Sequence, residues 1–206
     1  IREWVNWYGS NGVYVSFSGG KDSTVLLHLV REMYGNDIPA VFVNTGLEYP
    51  EIQDFVKTFE NVVILKPKMR FDEVIKKYGY PLISKNVSQA IYKARQKPDG
   101  REATKFQRDS AYNTKYGARF DLTKWVPLLK ATCIPVSHKC CDIMKKGPSK
   151  AYEHFTGRRP IIGTMTEESA LRETEWLHSG CNSFDGKRPS SKPMSFWTEQ
   201  DVLRYI

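Results

Sequence analysis

The sequence predicts an α/β protein, a doubly wound and mostly parallel sheet carrying a basic helical insertion. Short, almost wholly apolar runs alternate with stretches of helical periodicity up to Tyr78. A turn rich in glycine and hydroxyl residues separates the first apolar run from its helix. From Gly79 to Lys130 the rhythm breaks in a segment rich in Lys, Tyr, Gln and Asn. Strands covered on both faces lose the alternation of half-exposed ones, and their helical crossovers are right-handed, so the pattern winds both ways from its first strand.

Val13-Tyr14-Val15-Ser16-Phe17 reads as a buried strand that stops at Gly19-Gly20. Val25, Leu26, Leu29, Val30 and Met33 then recur at helical spacing until Gly35, a C-terminal stop. Ala40–Val43 is a second strand ending at Asn44-Thr45-Gly46, followed by a helical face of Ile52, Phe55, Val56 and Phe59. Val62–Leu65 is a third strand, and Phe71, Val74, Ile75 and Tyr78 mark the next helix. Lys97-Pro98-Asp99-Gly100 is a turn signal with helices expected on either side. Pro160 to Thr164 is expected to be a fourth strand, and Ser179 to Pro193 a polar loop. A last helix begins with Thr198 as N-cap and Asp201 at N3.

The 206 residues, 40% hydrophobic and 26% charged, suffice for one well-filled domain without disulfide staples. With 14 Gly and 11 Pro, collagen-like and low-complexity classes are excluded. No apolar run approaches the ~20 residues of a membrane span. Ile1 to Trp7 is charged and is no secretory signal; a cytoplasmic protein without a membrane partner is expected. The missing initiator Met and the final helix, cut short at Ile206, predict a piece of a longer chain. Cys133, Cys140, Cys141 and Cys181 then read as reduced thiols or metal ligands. Net charge is +8, and Pro81–Lys130 alone holds eleven basic against four acidic residues. Such a concentration suits a phosphorylated nucleotide, RNA or DNA, or else forms a solvated helical face.

The sharpest chemical signal is Ser18-Gly19-Gly20-Lys21-Asp22-Ser23-Thr24, between the first strand and its helix. Two glycines let the backbone approach a ligand and turn its N–H groups toward it. The helix adds its positive N-terminal end. Ser18, Ser23 and Thr24 add hydroxyls, Lys21 a cation, and Asp22 a candidate Mg²⁺ ligand. The glycine spacing is shorter than in the Walker pattern. Glu168, Ser169 and Arg172 follow Gly163 at a strand end, where open α/β sheets bind ligands; Arg172 can hold an anion bidentately or pair with Glu168 at i, i+4. Lys145, Lys146 and Lys150 can close on the same anion or be solvated. His138 is a further candidate ligand or a surface residue. Tyr92, Phe106, Tyr112, Tyr116 and Phe120 can stack bases or pack a lobe.

Ser18–Ser23 resembles the SGGxDS loop of the PP-loop ATP pyrophosphatases, the adenine nucleotide α-hydrolase-like group. Further stretches resemble the phosphoadenylylsulfate (PAPS) reductase family: Asn44-Thr45-Gly46-Leu47-Glu48-Tyr49-Pro50-Glu51, Cys140-Cys141 with Lys145 and Pro148, Gly163 with Glu168, Ser169 and Arg172, and Trp197-Thr198 with Asp201, Val202, Tyr205 and Ile206. The resemblance implies one PP-loop nucleotide-binding domain over 1–206, with the insertion at about 81–130. It implies an enzyme of sulfur metabolism or sulfur transfer that binds PAPS, adenylyl sulfate or ATP. The implied nucleotide contacts are Ser16, Ser18 to Thr24, Asn44 to Gly46, Lys145, Gly163, Glu168, Ser169 and Arg172, with Lys21, Asp22 and Arg172 in catalysis. A thioredoxin-like electron donor and a [4Fe–4S] cluster are implied in turn, the cluster drawing on Cys140 and Cys141 with Cys133 or Cys181. Met165 and Met144 stand where the family has Arg, and the chain shows no Glu-Cys-Gly segment. Asp22 and Ser23 match the ATP-cleaving enzymes. An ATP pyrophosphatase that adenylates an acceptor, nucleic acid included, is therefore the alternative. A non-catalytic nucleotide-binding module is the third reading.

Overall fold

The structure, a computed structural model, describes residues 1–107, 110–116, 121–186 and 188–206, with backbone alone at 112 and 116. Arg108, Asp109, Arg119 and Phe120 lie outside the described residues, as do the side chains of Tyr112 and Tyr116. Two units make up the chain: Ile1–Pro67 with Gly147–Ile206, and Lys68–Lys146.

The first unit is built on a six-stranded sheet in the order β3-β2-β1-β4-β6-β5. Its strands are β1 Val13–Phe17, β2 Ala40–Val43, β3 Val62–Leu65, β4 Arg159–Ile162, β5 Asn182–Ser183 and β6 Ser190–Ser191. β1 pairs in parallel with β2 (Val15 opposite Ala40) and with β4 (Val15 opposite Ile161), while β5 is antiparallel to β6. Consecutive Val13, Tyr14 and Val15 are all buried, so both faces of the central strand are covered. The chain runs outward from β1 through β2 to β3, then returns to the opposite side of β1 for β4. That reversal is the switch point of a doubly wound sheet.

The helix Lys21–Tyr34 buries Val25, Leu26, Leu27 and Val30 and stops at Gly35, whose φ of +60° favours glycine. Met33, read as part of its apolar face, is 38% exposed and lies off the core. Phe55 and Ile64 are also exposed, because β3 is the edge of the described sheet. β4 ends at Ile162, short of the expected Thr164. The stretch read as a polar loop holds β5 and β6, each of two residues. Ladder bonds and a 2.6 Å hydrogen bond from Ser191 Oγ to Asn182 Oδ1 hold these strands, which are too short and polar to leave a hydrophobic period. The N-terminal helix Arg2–Tyr8 inserts a fully buried Trp4, its ring 4.7 Å from Tyr8 and 5.1 Å from Phe184. Tyr14 donates to Glu153 Oε1 at 2.6 Å, and Arg188 grips both oxygens of that buried carboxylate at 2.9 and 2.6 Å.

The second unit is helical around its own core of Val87, Ala90, Ile91, Ala94, Ala103, Phe106 and Val136. Phe106 therefore packs a lobe and offers no ring to a base. The turn at Lys97–Gly100 separates the helices Lys85–Gln96 and Arg101–Thr104, as expected, and closes through Gly100 N–H to Lys97 O at 2.9 Å. Arg95 donates to the carbonyls of Leu128, Leu129, Ala131 and Ile134, satisfying the end of the helix Val126–Lys130. Among the described residues no helix is long and apolar enough to cross a membrane.

Candidate functional site

Three loops of the first unit leave the carboxyl ends of β1, β2 and β4, which are neighbours in the sheet. The first is the Ser18–Thr24 turn. Gly19 takes φ +74°, and a Cβ there would sit 2.9 Å from Ile52 Cγ2, so glycine is required on both counts. Ser23 Oγ accepts from Ser18 N–H at 3.1 Å, lies 2.9 Å from Ser18 Oγ and donates to Gly20 O at 3.0 Å. Ser23 and Thr24, which also donates to Gly20 O, thus shape the turn from inside. The first-turn N–H groups of the helix Lys21–Tyr34 have no intrahelical acceptor, and no side chain caps them. Gly163, just past β4, leans on that turn: a Cβ there would lie 3.1 Å from Asp22 O.

Lys21 Nζ contacts Asp22 Oδ1 at 2.8 Å and Glu199 Oε1 at 3.3 Å. The Asp22 hydrogen bond, seconded by Glu199, holds the ammonium above its usual range. Glu199 opens the helix Glu199–Tyr205, whose Thr198–Asp201 capping box forms as expected. Its N–H donates to Glu167 Oε2 at 2.9 Å. Sequence reasoning gave no role to Glu199 or Glu167, because the two are 32 residues apart and Lys21 lies farther off still. Ser16 sits half-buried inside β1, its backbone paired with β2 and β4.

The second loop, after β2, is braced by Glu48. Its carboxylate accepts from Thr45 N–H at 2.9 Å and Thr45 Oγ1 at 2.7 Å. Asn44 Oδ1 accepts from Gly46 N–H at 2.9 Å, and Asn44 Nδ2 donates to Gln53 at 2.9 Å. The Thr-x-x-Glu spacing was the signal for this brace.

In the third loop, Glu168 pairs with Arg172 and accepts from Met165 N–H at 3.0 Å. Ser169 caps the helix Ala170–Ser179. Met165 is 3% exposed, so a buried apolar side chain stands where the resemblance placed a phosphate-binding Arg. Glu168 engages Arg172 Nη1, so an anion would meet the other guanidinium nitrogens or displace the carboxylate.

The remaining residues of interest belong to the second unit, apart from Lys150 and the half-buried Cys181 of the first. Met144, the other Met at an expected Arg position, is 3% exposed. Lys145 is exposed, and Lys146 pairs with Asp142 at 3.3 Å. The Cys140 and Cys141 sulfurs are 3.9 Å apart where the short helix Lys139–Cys141 passes into a π-helical turn, Asp142–Lys146. Burial, then the neighbouring Cys141, pushes the Cys140 thiol up, away from thiolate character. Cys133 is exposed. A [4Fe–4S] cluster requires three or four converging thiolates. Among the described residues no three His, Cys, Asp or Glu side chains gather to hold a metal ion. The expected cysteine set does not fit a cluster within them.

Residues 12–96 match the family model of the phosphoadenosine phosphosulfate reductase domain. An uncharacterised protein of Methanocaldococcus jannaschii is 41% identical over 73 residues, which are 34% of this chain and 15% of that protein. A glutamine-hydrolysing GMP synthase of Francisella philomiragia subsp. philomiragia is 32% identical over 87 residues, 39% of this chain and 17% of the synthase. The matched stretches thus span less than a fifth of these relatives' lengths. The crystal structure of a phosphoadenylyl-sulfate (PAPS) reductase from Candida auris, a phosphate complex, superposes with a TM-score of 0.52 at 14% identity, over all of this chain and 77% of that one. At that identity the likeness is one of fold.

Proposed function

From the match of residues 12–96 to the phosphoadenosine phosphosulfate reductase domain, we propose that the chain is of that family and that its first unit binds an adenine nucleotide by its phosphates at Ser18–Thr24. One observation carries the reading. A glycine-opened, uncapped helix start lies at the sheet's switch point, with Gly163 leaving room beside it. Fixed N–H dipoles stabilise phosphate charge without reorganising. Lys21 adds a mobile cation. Arg172 turns from Glu168 toward the transferred group, and the Glu48-braced loop lines the nucleoside side. Asp22 suits Mg²⁺, which binds proteins through one or two carboxylates and takes its other ligands from phosphate and water; when bound, the ion neutralises phosphate charge.

The substrate is an adenylylated or phosphoadenylylated sulfur compound, the class named by the family. Calorimetry with PAPS, adenylyl sulfate and ATP tests this: micromolar binding of a sulfonucleotide is expected, and ATP binding without either sulfonucleotide would overturn it. A second reading rests on Lys21, Asp22 and Ser23 together with the likeness to a GMP synthase. In it the unit is an ATP pyrophosphatase that adenylates an acceptor. Pyrophosphate release from ATP, dependent on Asp22, would put that reading first.

A further inference from the structure

The second unit, Lys68–Lys146, holds 18 Lys and Arg against 7 Asp and Glu, a net charge of +11. Part of that charge stands outside ion pairs among the described residues. Lys105 pairs with Glu102, Lys146 with Asp142 and Arg70 with Asp72, but among the described residues no ion pair engages Lys77, Lys85, Lys93 or Lys139.

Two of these lysines lie over aromatic rings, and the other two stand on the helix that carries one of those rings. Lys139 Nζ lies 5.0 Å from the Tyr78 ring centroid and 5.2 Å from that of Tyr92, and Lys77 Nζ is 5.5 Å from Tyr78. Lys85 and Tyr92 lie seven residues apart on the helix Lys85–Gln96 and share its face. Tyr92 sets its ring edge-on to His138 at 5.6 Å. Burial, joined by the ammonium groups of Lys93, Lys85 and Lys139 against the opposing Asp142, holds the His138 imidazole below its usual range. The ammonium groups therefore form one local positive field.

We propose that this face of the second unit, built by Lys77, Tyr78, Lys85, Tyr92, Lys93 and Lys139, binds single-stranded nucleic acid. The lysines meet successive phosphates and the half-buried tyrosine rings meet unpaired bases. Interleaved cations and rings make up the stacking platforms that hold single strands without reading sequence. A lipid surface calls for inserted Leu, Phe or Trp beside the cations, and this face offers hydroxylated rings overlaid by lysine instead. The face belongs to the second unit and the nucleotide loop to the first, so either assignment can fail alone.

The test is fluorescence anisotropy of the full chain, without nucleotide, against a labelled single strand of roughly 20 nucleotides, its duplex, and phosphatidylserine vesicles from about 50 to 300 mM salt. The single strand should bind more tightly than the duplex, with affinity falling linearly in log salt. Lys85→Glu with Lys93→Glu, both exposed, should weaken it at least ~10-fold and reduce the salt slope by about two. Lys124→Glu with Lys130→Glu makes the same charge change elsewhere in the unit and should cost under ~3-fold. Tyr92→Leu should weaken the single strand ~5-fold or more and leave the duplex unchanged. Absence of salt-dependent binding, equal losses from the two lysine pairs, or binding to vesicles in place of oligonucleotide would overturn the proposal. Should Tyr92→Leu fail to fold by circular dichroism, the two lysine pairs decide.

Discussion

The two proposed sites would meet anions by different means. The first unit carries 13 basic and 16 acidic residues, a net −3, yet it holds the turn proposed to bind phosphate. The second carries +11. At the site proposed in the first unit, attraction would come from a few oriented N–H dipoles and one helix end, placed by a turn whose Gly19 tolerates no Cβ. Such a site is selective for shape and weakly sensitive to salt. In the second it would come from mobile ammonium groups whose effect is summed over distance and screened within about a Debye length, ~8–10 Å at physiological salt. On these two proposals, net charge is a poor guide to where a nucleotide would sit and a better one to where a polymer would.

The comparison breaks most cleanly at Gly20. Its φ of −83° suits any residue, and a Cβ there would meet only Ser18 Oγ at 3.4 Å. Gly20→Val should leave the melting temperature nearly unchanged while weakening nucleotide binding at least ~100-fold in calorimetry, by blocking backbone approach to phosphate. Unchanged affinity would remove the loop from the site. The counterpart in the second unit is Arg95. Arg95→Met strands four carbonyls and should lower the stability of that unit by about 2–3 kcal/mol. Hydrogen exchange should rise across the helices Lys85–Gln96 and Val126–Lys130, with nucleotide affinity unaltered; an equal loss of affinity would mean that the two units are energetically one.

Gly19→Ala should cost about 1–2 kcal/mol in denaturant unfolding, since Gly19 has φ +74° and Ile52 fills the space. A neutral result would show that the turn relaxes. The smallest effect is alkaline. Burial, then Glu153, raises the Tyr14 hydroxyl far above its usual value of 10. The folded chain keeps that proton while the unfolded chain releases it, so this contribution to stability is complete below pH 10 and declines as pH rises further. Tyr14→Phe should remove that decline, seen as a flatter stability curve between pH 10 and 11, and should leave single-strand binding by the second unit as it was.

Much of the first unit was legible because its signals are local. Val13–Phe17, the glycines of the first turn, the stop at Gly35 and the Thr198–Asp201 capping box each involve residues within a turn or two of one another. Backbone sterics and nearest-neighbour hydrogen bonds decide such features. The Lys97–Gly100 turn and its flanking helices were readable for the same reason. By contrast, β5 and β6 left no trace in the hydrophobic pattern. The brace on Thr45 was readable in principle, since Glu48 stands three residues away.

What the sequence by itself determined is the identity of the longer elements and the residue types that the first turn brings together, because period, glycine and cap are properties of short segments. The tertiary structure alone decided the order of strands around β1, and with it the placing of Gly163 against the first turn of the helix Lys21–Tyr34. It alone brought Glu199 to Lys21 and gave Arg95 to the carbonyls of Leu128–Ile134. It also gathered Lys85, Tyr92 and Lys139 on one face and, among the described residues, left the Cys140–Cys141 pair without a third ligand. Each of these joins residues far apart in the chain, and long-range pairing follows from which apolar faces can be buried together, a condition on the whole fold that no local stretch of sequence carries.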